Sequence, residues 1–122
     1  MVEEKQLYRV IEFISNRFSD ENDKEIFRSV ILEEFLKMPN IENNKSWTVY
    51  GDYIDLLEEK IDDDIVTKID KISFKSFVSF SCGIEALRSK LHKVTSVEEQ
   101  LFFWLAKLNE KTRRKHILES MK

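Results

Sequence analysis

The sequence predicts an all-α protein, a single bundle-like domain of four to five helices over residues 1–122, and three observations carry that expectation. Two glycines and one proline in 122 residues are too few to punctuate the turns of a β-rich protein. Apolar residues recur at steps of three and four along most of the chain, the period of one buried helix face. The length suits one compact domain that buries roughly two-thirds of its unfolded surface, and no linker, repeat or low-complexity tract divides it.

In the first helix Leu7, Val10, Ile11, Ile14 and Phe18 form the stripe, with Glu4, Arg9, Glu12 and Asn16 opposite. A polar break over 19–23 follows, and Asn22 with Glu25 has the spacing of a capping box. The second helix buries Ile26, Phe27, Val30, Ile31, Phe35 and Met38 and stops at Pro39. A loop over 40–46 comes next. From Asp52, the residues Ile54, Leu57, Ile61, Ile65, Ile69 and Ile72 predict one helix of up to about five turns.

The following segment reads two ways. Ile72, Phe74, Val78, Phe80 and Cys82 alternate with Ser73, Lys75, Phe77, Ser79 and Ser81, which suits a strand, and residues 47–50 would be its partner. That is the alternative architecture, mostly α with a small two-strand element at 47–50 and 72–82. Two isolated strands are marginal in water, so a helix using Phe74, Phe77, Val78, Ile84, Leu87 and Leu91 is the expected form. Ser96 with Glu99, preceded by Thr95, caps the last helix, whose stripe is Val97, Leu101, Trp104, Leu105 and Leu108. Continued at the same phase, that helix turns Thr112, Lys115 and His116 toward the core. It must therefore break near Asn109 or project beyond the core.

Composition narrows the function. The single Cys82 forms no internal disulfide, which favours a reducing, cytoplasmic setting. No apolar run is long enough to span a bilayer, and the acidic opening does not resemble a signal peptide, so no membrane partner is expected. Two histidines and one cysteine do not make a zinc site. Asp62, Asp64 and Asp70 resemble a calcium loop, but Thr67 and Ser73 stand where it needs Gly and Glu. No glycine-rich phosphate loop exists, and no metal or cofactor is expected. Arg88 and His92 resemble the Arg–His pair of small helical ribonucleases, whose motif places a longer gap between the two, so no function is carried over. Cys82 lacks flanking cations and reads as a small buried hydrophobe. With no catalytic constellation, an enzyme is not expected.

Charge is more informative. Residues 1–70 carry 18 Asp/Glu against 9 Lys/Arg, and residues 71–122 carry 5 against 11, so a net charge of −3 conceals two halves of opposite sign. On the expected long helix, Asp52, Asp55, Glu59, Asp62, Asp63 and Asp70 share about a third of the circumference. Like charges at Asp55 and Glu59, and at Glu59 and Asp63, repel at a cost of a few tenths of a kcal/mol each. Such a face is solvated, is neutralised by the basic half, or docks a basic protein partner, with Val66 as an apolar contact among the carboxylates. Docking is the leading functional expectation: a small protein-binding domain of inhibitor or immunity type that covers a cationic cleft such as that of a nuclease toxin.

Two other readings accompany it. Lys111, Arg113, Arg114 and Lys115, flanked by Lys107, His116 and Lys122, suit phosphates, as in a nucleic-acid-associated accessory subunit; nucleic acid is the less favoured partner because the chain as a whole is acidic. The third is a structural homo-oligomer. Phe102, Phe103 and Trp104 span about 200° of helix surface, and one stripe does not bury all three, so Phe102 or Phe103 is a candidate for self-association as a homodimer.

Overall fold

A computed structural model of the chain describes residues 5–38, 47–90 and 96–121. These residues form six α-helices and no strand: α1 Lys5–Ser15, α2 Glu21–Glu34, α3 Trp47–Lys60, α4 Asp63–Ile69, α5 Phe74–Arg88 and α6 Ser96–Ser120. Helix α6 is the hub and packs against α1, α3, α4 and α5, while α2 lies against α1 and α4. Leu7, Ile14, Phe27, Ile31, Leu57, Ile61, Leu101 and Leu105, the centres of the apolar stripes, are all fully buried. Edge-to-face aromatic pairs join the layers. Phe27 meets Phe18 and Phe80 with centroids 5.3 and 5.1 Å away, and Phe35 meets Trp104 at 5.8 Å. At Gly83 an added Cβ would lie 3.3 Å from Ile14 Cγ1, so the missing side chain is what lets α5 approach α1 closely.

Helix α2 starts earlier than its expected capping box. The N-cap is Asp20, whose carboxylate accepts the Asp23 N–H at 3.0 Å, so Asn22 and Glu25 already lie within the helix. A 3₁₀ turn over Phe35–Lys37 ends the segment; Pro39 and the loop 40–46 lie outside the described residues, as do Leu91, His92 and Thr95.

The expected long helix from Asp52 to Ile72 is two helices. Asp62 adopts extended backbone and accepts the Ile65 N–H at 3.1 Å, which begins α4 afresh. Lys111 Nζ, from α6, donates to the carbonyls of Glu58 and Ile61 and so seals the end of α3. The isoleucines at 61, 65 and 69 stay buried across the break, which is why periodicity alone does not reveal it.

Segment 74–88 is helical, as is the start of α3 at 47–50, so the two-strand alternative is not realised. The start of α5 is held from a distance. Asp23 Oδ2, on a residue only 5% exposed, accepts the hydroxyls of Ser73 and Ser76 at 2.8 and 2.6 Å and the Ser73 N–H at 3.3 Å. Ser73 Oγ in turn accepts the Ser76 N–H, the N-cap bond of α5. Burial by itself would raise the Asp23 pKa, but the Ser76 and Ser73 donors hold it below the ordinary carboxylate range.

Helix α6 neither breaks nor leaves its polar positions idle. Thr112, fully buried, donates its hydroxyl to the Leu108 carbonyl at 2.8 Å. His116 stacks its edge against Phe77, with centroids 5.1 Å apart.

Candidate functional site

The acidic surface and the basic helix meet along the α3–α6 seam, where much of the basic helix is neutralised. Arg114 grips Glu58 through two bonds of 3.1 and 3.2 Å and reaches Glu110 at 3.1 Å. Lys107 bridges the same two carboxylates at 3.1 and 3.2 Å. Donation first from Arg114 and then from Lys107 pulls the Glu58 pKa down to about 2. Asp70 occupies a second node. Its carboxylate takes Lys115 Nζ at 3.0 Å and His116 Nε2 at 2.5 Å. Burial opposes its ionisation, and those two donors overcome that penalty and keep its pKa low.

These pairs redistribute the predicted site residues. Asp70 is not on the open acidic surface, because at the C-terminal end of α4 it turns inward to α6. Val66 is no exposed contact either, since it is 5% exposed and belongs to the core. Asp62, Asp63 and Asp64 stand at the start of α4, where carboxylates oppose the helix dipole favourably, and Asp62 is the cap itself. Asp52, Asp55 and Glu59 remain together on α3, all exposed and within about 60° of one another by helical geometry, opposite buried Tyr53 and Leu57. None of the three has an ion-pair partner among the described residues.

Of the four cations proposed for phosphate, Arg114 and Lys115 are engaged as above, and Lys111 is spent on the carbonyls of Glu58 and Ile61. Arg113 donates to Asn109 Oδ1 at 3.1 Å, and Asn109 donates onward to Ser81. Beside them α4 and α6 border a groove of about 510 Å³ that includes Val66, Leu118, Asp63 and Glu119. It carries both signs of charge and presents no unopposed cationic wall. Phe102 is 7% exposed, with the Arg88 guanidinium 6.0 Å from its ring centroid, and Phe103 is half-buried against it.

Three residues depart from their expected environment. Cys82 is exposed, not a core residue, and Phe74 and Val78 are 74% and 44% exposed. All three fall on the outer face of α5 because Phe77, Phe80, Ile84 and Leu87 set its buried face. The signal was present: Phe74 and Val78 are out of phase with those four at 100° per residue. Among the described residues no three His, Cys, Asp or Glu side chains converge to hold a metal ion, and no helix is long and apolar enough to cross a membrane. The chain matches no protein-family model, no curated protein and no solved structure.

Proposed function

We propose that the protein is a protein-binding domain whose acidic corner, the outer face of α3 with the first turn of α4, receives a cationic partner surface in the manner of an inhibitor or immunity protein. One observation carries the reading. Asp52, Asp55 and Glu59 share one exposed face with no cation paired to them among the described residues, while Lys107, Arg114 and Lys115 are all ion-paired. Asp63 and Asp64 extend the negative field past the bend. Unpaired carboxylates on a rigid helix accelerate association with a basic surface and make it salt-sensitive. The same comparison disfavours the phosphate-binding alternative, because most of its cations already hold protein partners.

The test is capture of a basic protein by the wild type and by a variant carrying Asp55→Lys and Glu59→Lys. Loss of capture, with association slowed and wild-type binding weakened by salt, supports the proposal. Equal capture by both proteins rejects it. Replacing Arg113, Arg114 and Lys115 together, with retention on nucleic acid as readout, tests the alternative.

A further inference from the structure

A second surface, distinct from the acidic corner, lies on the antiparallel pair α5–α6. At the open end of this hairpin, where Phe77 meets His116, large apolar side chains face water: Phe74 and Val78 on α5, 74% and 44% exposed, and Ile117 on α6 with Met121 just after it, 51% and 77% exposed. Protein surfaces seldom leave such a cluster uncovered. Along the outer face of α5 the residues run Phe74, Lys75, Val78, Cys82, Glu85, all exposed, so the stripe is apolar and cationic at one end and anionic at the other. Lys75 has no ion-pair partner among the described residues. Among the described residues Glu85 makes only a long 3.7 Å contact with Arg88, three residues on.

This polarity selects the occupant. Lys75 and Glu85 stand about 15 Å apart along the helix. A two-fold axis that runs between the two α5 helices, perpendicular to both and level with the midpoint of this stretch, sets Lys75 of each copy against Glu85 of the other, and Val78 against Cys82. A two-fold axis parallel to the helices would instead superpose two cationic ends. We infer that a second copy of this chain packs antiparallel across the outer face of the α5–α6 hairpin, joined by reciprocal Lys75–Glu85 pairs and covering Phe74 and Val78. The interface is isologous. It also brings Ile117 and Met121 toward the half of the partner hairpin that carries Ala106 and Phe103, both half-buried.

Sedimentation velocity over a rising concentration series of the full chain tests this. The wild type should convert to a species of about twice the 14.6 kDa monomer mass. Lys75→Glu and Glu85→Lys should each raise the dissociation constant at least about tenfold, since each sets like charges in opposition, and the double variant should restore it. Phe74→Glu should also weaken the dimer without touching the core, with circular dichroism unchanged. A monomer at every concentration overturns the proposal. So does a dimer in which the double variant is no better than either single one.

Discussion

The outer face of α3 and the C-terminal half of α6 carry comparable densities of charge and meet opposite fates. Lys107, Arg114 and Lys115 are bound to Glu58, Glu110 and Asp70, whereas Asp52, Asp55 and Glu59 turn to water one helix face away. A charge run in a sequence therefore does not declare its role. What decides is whether the opposite sign stands within reach in the folded chain. Glu58 and Glu59, adjacent in sequence, differ by about 100° in direction, and that angle separates a structural carboxylate from a surface one.

The largest effect comes from breaking the scaffold that both regions share. Truncating Ile61 or Leu105, each fully buried, to Ala should cost about 2–5 kcal/mol, read from denaturant unfolding. Next is the remote cap. Asp23→Ala leaves the Ser73 and Ser76 hydroxyls without their acceptor and should cost about 1–3 kcal/mol.

The carboxylates of Asp23, Glu58 and Asp70 are all held below their ordinary values. Their contribution is thus complete above the unfolded carboxylate range near pH ~4 and is lost as pH falls through the folded values, toward about 2 for Glu58. An unfolding free energy that stayed flat from pH 6 to about 2 would contradict this. A double-mutant cycle on Glu58 and Arg114 should return a coupling below about 1 kcal/mol, because both side chains are nearly half exposed, and it should shrink with salt. The smallest effect belongs to the other side of the comparison. Reversing Asp55 and Glu59 to Lys should leave stability within about 0.5 kcal/mol of wild type, and a larger loss would show that those carboxylates have a structural partner.

The buried halves of the helices were legible in the sequence because hydrophobic period and burial share one cause. Leu7, Ile14, Phe27 and Leu101 face the core for the reason that spaces them. The bend at Asp62 was not legible from period, since Ile61, Ile65 and Ile69 keep helical steps through it. Its signal was local instead, an aspartate three residues before Ile65 with two further aspartates in the first turn of α4. The fate of the charges was least legible. Nothing along the chain ties Lys111 to the carbonyl of Ile61, or Asp70 to Lys115 and His116; those links exist only after α6 has docked. The outward turn of Phe74, Val78 and Cys82 lay between, visible as a conflict of phase with Phe77 and Phe80 that two competing periods concealed.

The lysine that seals the end of α3 has a consequence for what the chain encodes. The isoleucine register from α3 into α4 belongs to one uninterrupted rod, and the bend interrupts that rod by means of the Asp62 cap and a side chain arriving from fifty residues downstream. The corner is thus a held conformation, with α6 as the latch. A chain without the Lys111 side chain keeps the register and the Asp62 cap, but the carbonyls of Glu58 and Ile61 lose the donor that fastens the corner to α6.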